Sequence, residues 1–426
     1  MSVFRRSGAA SRLALAIALS SAAALTVSAP AHAAKKQEQA EAPKANLSKP
    51  FAAAYKPYYD VVKAKGDVTT VKDSLPAIQA AATTADDKFT AGQATYSIGV
   101  KLNDVAMERK GLDMMIDSGS KLAGAEQGNL LFGAARLAYD AKDWATARSR
   151  AQQAIAAGYS GDAELLLAET YFGEDQAAAG LDQLEKAIAK KIAAGETVPD
   201  SWLKRGLAFA AKAQLQPQST KFAGWYAQYY PSATSWGDAI AIQRNFNSYD
   251  GQELLDLMRL AQRTNSLRTE RDYVDYISAV DARRLPGETQ RIIKEGIAAG
   301  KLRSGDVFVS EANSVSSARL QADLADLPKL AADARAASAS VATLTAAGDA
   351  FLSYQKPAEA EQFYTLALAK PGVDTARVLT RLGIAQADQG KAAEAAATFA
   401  KVTGPRKPIA DLWTLYVKQA KTPAAQ

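Results

Sequence analysis

The chain has 426 residues, with 51 Lys and Arg against 45 Asp and Glu, one His and no Cys. It therefore cannot form disulfides, and its fold must be held by burial alone. The near balance of charge gives no argument for nucleic acid or an anionic membrane as a partner.

The first 33 residues have the three parts of an export signal. Arg5, Arg6 and Arg12 form a basic start, residues 13–27 are apolar and uncharged, and Ala31-His32-Ala33 is an A-x-A cleavage site. An uncleaved membrane anchor is the alternative, but the apolar run is shorter than the ~20 residues that a span needs. We expect a signal peptide over 1–33, cleavage after Ala33 and a periplasmic protein.

Cleavage would remove the only histidine, His32. The mature chain would then have neither His nor Cys, which excludes Ser-His-Asp and Cys-His nucleophilic sites and zinc bound by His or Cys. No phosphate-binding Gly-rich loop and no EF-hand spacing occurs either. We expect no metal and no cofactor. Catalysis by carboxylates stays open at this point.

The mature chain begins with a polar leader and continues into helices. Residues 34–46 are mostly Lys, Gln, Glu, Ala and Pro without apolar periodicity, so they predict a flexible leader. Residues 47–127 predict N-terminal helical pairs, with helix starts at Asp67, at Ser74-Leu75-Pro76 and at Asp86-Asp87.

One helix ending recurs along the chain. Glycines follow similar apolar segments at Gly119, Gly158, Gly195 and Gly300, and Gly372 continues the series. Most of the separations are close to multiples of 35 or 36 residues. Such a period predicts one small unit stacked many times.

Three segments repeat the same small and large residues at fixed offsets. They begin at Gly128, Val341 and Ala376, and the last two carry Gly348 and Gly383 at their eighth position. We divide the chain into repeats over 128–232, degenerate repeats over 233–340, and C-terminal repeats with a capping helix at 408–418 over 341–426. The segments 233–266 and 304–338 have the length of a helical pair but a poor signature.

This pattern resembles the tetratricopeptide repeat, a helix-turn-helix of 34 residues with small residues where its helices cross. The resemblance implies an all-α fold, a right-handed α-solenoid whose concave face is lined by the first helix of each pair. In that family the inward positions bind extended peptides. The corresponding residues here are Arg136, Tyr139, Glu169, Lys204, Arg244, Asp275, Arg377 and Arg381. A solvated surface is the alternative for each of them.

The densest aromatic cluster runs from Phe222 to Trp236. It could form a binding platform for a sugar or a peptide. The alternative, which we favour, is that Phe222, Trp225 and Trp236 occupy core positions of the repeats.

The first functional hypothesis is a non-enzymatic scaffold or adaptor that binds a protein or peptide of the cell envelope along its concave groove. The alternative is a protein that binds or cleaves cell-wall glycan, like the helical superhelices of lytic transglycosylases, with Glu169 as the nearest acid. A third hypothesis is a self-assembling structural protein. Peripheral association with the envelope and the oligomeric state are left open by the sequence.

Overall fold

A computed structural model describes residues 44–159 and 161–419. Within these ranges every regular element is a helix, twenty α-helices and three 3-10 helices, and most consecutive helices pack on each other. This confirms the all-α, solenoid class. None of these helices is both long and apolar enough to cross a membrane. The predicted signal and residues 34–43 of the predicted leader lie outside the described residues.

The chain divides into two compact units, and the division falls after Ala187, inside a helix. The first unit contains 3-10 helices at Val68–Ser74 and Lys121–Glu126. Its α-helices are α1 (Lys49–Lys63), α2 (Leu75–Ala81), α3 (Ala85–Leu102), α4 (Val105–Asp117), α5 (Gln127–Asp140), α6 (Trp144–Ala156), α7 (Ala163–Gly173) and the first part of α8 (Ala177–Ala193).

The second unit contains the rest of α8, twelve further α-helices and a 3-10 helix at Gly404–Arg406. The α-helices are α9 (Asp200–Lys212), α10 (Gln216–Tyr229), α11 (Ala233–Phe246), α12 (Gly251–Arg263), α13 (Glu270–Val280), α14 (Pro286–Ala298), α15 (Val307–Arg335), α16 (Val341–Ser353), α17 (Pro357–Leu368), α18 (Thr375–Asp388), α19 (Ala392–Phe399) and α20 (Lys407–Gln419).

The predicted N-terminal starts lie close to real helix starts. Asp67 caps the first 3-10 helix, and α2 begins at Leu75. Helix α3 begins with Thr84 as its cap, and Asp87 completes a capping box by accepting from the backbone N–H of Thr84. Capping residues satisfy backbone N–H groups that have no partner inside the helix. Local sequence therefore predicts these boundaries to within a few residues.

Four of the recurring glycines, Gly119, Gly158, Gly195 and Gly300, lie two residues after the end of a helix as the sequence predicts, whereas Gly372 lies four residues after the end of α17. Gly119, Gly158, Gly195, Gly300 and Gly372 all have φ between 66° and 78°. This left-handed conformation closes a helix and is accessible to glycine without steric cost.

A second regularity supports the repeat register in the second unit. A Cβ added to Gly206, Gly348 or Gly383 would lie 2.2–2.5 Å from a ring carbon of the aromatic residue sixteen positions later. These partners are Phe222, Tyr364 and Phe399, all at most 1% exposed. The small residue on the first helix of each pair therefore makes room for a ring on the second. The cluster at 222–236 accordingly contributes Phe222 and Trp236 to the core, whereas Trp225, which was also expected there, is only half-buried.

The segment 304–338 is not a degenerate helical pair, and that expectation is wrong. It folds as the single helix α15, which has 29 residues and continues through Pro328. The helix contains no glycine, and none of the left-handed residues that follow other helices of this chain lies between Val307 and Arg335.

Helix α20 does more than cap the last repeat, because it also packs on α10, α11 and α12. The indole Nε1 of Trp413 donates to the backbone oxygen of Asp256 at 3.0 Å, and Trp236 lies edge-on to Tyr416. Gln419 donates to the backbone oxygen of Gln228. Helix α20 is therefore more than a terminal cap: the second unit folds back on itself along this helix, while Lys407, Asp411 and Lys418 stay exposed.

Candidate functional site

In the first unit the structure brings Tyr139 and Glu169 together. The hydroxyl of Tyr139 on α5 donates to Oε2 of Glu169 on α7 at 3.4 Å. Glu169 is only 1% exposed, and Arg136 is half-buried one turn before Tyr139. The carboxylate of Glu169 therefore lies inside the helical packing and does not line an open groove.

Lys204 lies on the surface of α9. Its Nζ is 2.5 Å from Oδ2 of Asp200, one turn earlier, and 5.5 Å from the centroid of the Tyr226 ring. The lysine is exposed. Exposed pairs of this kind contribute little to stability.

Arg244 lies beside a pocket of about 470 Å³ in the second unit. It extends from α11 to α13, where Nη1 is 3.0 Å from Oδ1 of Asp272 and Nη2 donates to Asp275. The structure thus joins two residues, Arg244 and Asp275, that the sequence assigned to one groove. The pocket is lined by Ala241, Arg244, Asn245, Asn247, Ser248, Tyr249, Leu254, Arg271 and Asp275.

The pocket offers mostly neutral hydrogen-bonding groups. Asn245 and Ser248 are exposed, and Tyr249 is fixed because its hydroxyl donates to Oε1 of Gln243 at 3.1 Å. Burial raises the pKa of Tyr249 to about 12, so its phenol stays neutral at physiological pH. Arg271 is the most open charge, with a side chain that is 84% exposed and an Nε that is 3.6 Å from Asp275.

The charges at the pocket nearly cancel, because Arg244 and Arg271 face Asp272 and Asp275. A volume of this size is typical of a site for a small ligand or a few residues of a chain. Amide, hydroxyl and guanidinium groups beside the apolar Ala241 and Leu254 suit a ligand that alternates polar and apolar groups, as a polypeptide does.

Sequence reasoning missed Asn245, Asn247, Ser248, Tyr249 and Arg271. The first four follow or end α11 in a polar stretch between two apolar helical segments, which alone indicates only a turn. Only the approach of α13 turns that stretch into one wall of a pocket.

Arg381 does not line a groove, and its assignment as an exposed binding residue is corrected. Its side chain is 0% exposed, with Nε 3.0 Å from Oδ1 of Asp256 on α12 and Nη1 2.6 Å from Oδ1 of Asp349 on α16. Nη2 donates to Oε1 of Gln252 at 2.9 Å. Helix α12 thus occupies the position beside α18 where the resemblance predicts a ligand.

The same buried cluster continues on both sides of Asp256. Arg259 donates from Nε and Nη2 to the two carboxylate oxygens of Glu288, at 2.9 and 2.6 Å, and Arg406 donates to Asp256. Burial alone would raise the pKa of Glu288, but Arg259 outweighs it and holds that pKa at about 2. These contacts join α12 to α14, to α18 and to the 3-10 helix at Gly404–Arg406, which precedes α20.

Arg377, one turn before Arg381, reaches the same carboxylate of Asp349. Its Nη2 is 2.5 Å from Oδ2, and Nη2 of Arg284 is 2.8 Å from that same oxygen. The side chain of Arg377 is 23% exposed and that of Arg284 is 39% exposed. Of the two predicted arginines on α18, only Arg377 is therefore reached by solvent.

No protein-family model and no curated protein matches this chain. Within 44–159 and 161–419, no three Asp or Glu side chains come together in a way that could hold a metal ion.

Proposed function

We propose that this chain is a non-enzymatic scaffold or adaptor of the bacterial periplasm, built from tetratricopeptide-like helical pairs, that binds a protein or peptide of the cell envelope. The observation that carries the proposal is the pocket between α11 and α13, because it contains Arg244, one of the positions assigned to ligand binding from the sequence. Cleavage after Ala33 and export rest on the sequence of the first 33 residues.

A polypeptide is the ligand class that fits this pocket best. Its backbone alternates N–H donors and carbonyl acceptors, which Asn245, Ser248 and Arg271 can satisfy without a net change in charge. Tyr249 and Asn247 are held by Gln243 at 3.1 and 2.9 Å, so this wall of the pocket needs little ordering when a ligand binds.

The glycan-cleaving alternative has less support. Its candidate acid, Glu169, is 1% exposed, and a general acid must come within hydrogen-bonding distance of the bond that it protonates. In the aromatic cluster that could have stacked on sugars, Phe222 and Trp236 are 0% and 3% exposed, and Tyr229 is the exposed ring at 37%.

The test is capture of partners from cross-linked cell envelope by the purified chain, read by mass spectrometry. The pocket variant combines Asn245→Ala with Arg271→Ala, which removes exposed groups without touching the core. The matched control combines Arg319→Ala with Gln321→Ala on the exposed side of α15, with the same loss of one charge and one amide.

We expect one stoichiometric protein partner that the wild type and the control retain and the pocket variant loses. A partner that the pocket variant still retains would remove the pocket from the proposal. Retention of cell-wall fragments without any protein would replace the adaptor by the glycan-binding alternative.

A further inference from the structure

The buried cluster of the second unit contains more positive than negative charge. Its arginines contact one set of carboxylates on α12, α14 and α16, with Glu295 3.8 Å from Arg291 at the edge. The carboxylates are Asp256, Glu288, Glu295 and Asp349, and the arginines are Arg259, Arg284, Arg291, Arg377, Arg381 and Arg406. Six guanidinium groups therefore face four carboxylates.

The excess of positive charge lies around Asp349, whose carboxylate oxygens have no acceptor site left for another hydrogen bond. Its Oδ1 accepts from Arg381 at 2.6 Å and from the hydroxyl of Tyr364 at 2.8 Å. Its Oδ2 accepts from Arg377 at 2.5 Å and from Arg284 at 2.8 Å. Two oxygens provide about four lone-pair sites, and all are used. One negative charge thus serves three arginines, of which Arg381 also pairs with Asp256.

Arg284 and Arg377 each have donors left over. A guanidinium carries five N–H donors, and within 44–159 and 161–419 the side chain of each of these two arginines makes only the bond to Asp349. Because both Nη2 atoms contact the same oxygen, the two guanidinium groups lie side by side. Both are partly exposed, so a solute can reach them.

The local electrostatics agree with this geometry. Burial, together with the positive charges of Arg381 and Arg284, lowers the pKa of Arg377. Unbalanced charge at the edge of a low-dielectric interior is costly and is relieved by a counter-charge.

We propose that Arg284 and Arg377 form a binding site for an anionic group, a carboxylate or a phosphate, at the mouth of the buried cluster around Asp349. Paired guanidinium groups match the two oxygens of either anion. The site is separate from the pocket between α11 and α13, so either proposal can fail without the other.

The test is titration calorimetry on the purified chain at constant ionic strength. The probes are inorganic phosphate, N-acetyl-alanyl-alanine with a free carboxylate, and its neutral amide. We expect phosphate or the free acid to bind and the amide not to bind. The probe that binds more tightly assigns the source of the anion, a phosphate group or the end of a polypeptide.

The variants are Arg377→Gln and Arg284→Gln, and we expect each to weaken binding at least tenfold. The matched control is Arg283→Gln, which removes a charge from the exposed neighbour of Arg284. An equal loss of binding in the control would show a non-specific charge effect and overturn the proposal. So would the absence of binding by both anions. Two variants guard against a failure of one of them to fold.

Discussion

The helical pair α5 and α6 and the contact between α12 and α18 are held together in different ways. In the pair, Ala147, Ala151 and Ala154 are 0% exposed and let neighbouring helices pack closely. Between α12 and α18, Asp256 and Arg381 are also 0% exposed, but they meet as an ion pair. Helices adjacent in the chain are joined by small apolar residues, and helices 125 residues apart are joined by buried charge.

These two kinds of contact should respond differently to single substitutions. The stability of a stack of apolar helical pairs is approximately a sum of local contributions, because each pair contacts only its neighbours. A buried ion pair is a poor net stabiliser, but removing one partner leaves an uncompensated charge inside the protein. The second unit should therefore respond to single charge changes much more strongly than the first.

Asp256→Asn should destabilise the protein more than any of the other substitutions. This change leaves Arg259, Arg381 and Arg406 with one fewer buried counter-charge, so it should lower the free energy of unfolding by about 3–5 kcal/mol. The measurement is urea unfolding followed by circular dichroism. The control is Asp411→Asn, whose side chain is 57% exposed and pairs with Lys407. A loss of similar size in both variants would contradict the difference described above.

Acid should weaken both units. Arg259 holds the pKa of Glu288 at about 2 against its burial, and backbone N–H groups of Ser48 and Thr84 do the same for Asp87, also to about 2. Since these folded pKa values are depressed, the stabilisation is complete above pH about 4.5 and is lost as the pH falls towards 2. Protonation of each carboxylate should lower the free energy of unfolding by roughly 2–3 kcal/mol over that range.

The check for acid sensitivity is the free energy of unfolding in urea between pH 6 and pH 2. Asp87→Asn should flatten the pH dependence of the transition that involves the first unit. If the free energy of unfolding did not fall between pH 4.5 and pH 2, the lowered pKa values assigned to Glu288 and Asp87 would be wrong.

Overpacking a helical pair tests the apolar half of the comparison. Ala360 is 0% exposed in α17, so Ala360→Leu should cost about 1–3 kcal/mol, and Ala147→Leu the same in α6. Ala358→Leu, at an exposed position of α17, is the matched control and should be tolerated. If Ala360→Leu and Ala147→Leu were as neutral as the control, the repeat register would be wrong.

The smallest effect is expected at the surplus charge. Arg284 shares an already saturated carboxylate and is 39% exposed, so Arg284→Gln should change the free energy of unfolding by less than about 0.5 kcal/mol. The measurement is again urea unfolding at neutral pH. A loss comparable to that of Asp256→Asn would mean that Arg284 is needed to hold Asp349 in place.

Much of the fold could be predicted because its signals are local. The left-handed glycines that end helices, the capping box at Thr84 and the glycine–aromatic pairs sixteen residues apart are all visible in the order of residues. Of the residues that line the candidate pocket, only Arg244 and Asp275 were predicted. The polar residues after α11 indicate only a turn in the sequence, and they become a wall of the pocket because α13 packs beside them.

The helices, most of their ends and the pairing of neighbouring helices follow from local sequence, because backbone capping and apolar periodicity act over a few residues. Two features appear only in the folded chain: α15 is one long helix, and α20 returns to α10, α11 and α12. Long-range packing also buries Arg381 against Asp256, while Arg377 reaches solvent. The two arginines lie one turn apart on the same helix, and what distinguishes them is a carboxylate that is 125 residues from Arg381 along the chain.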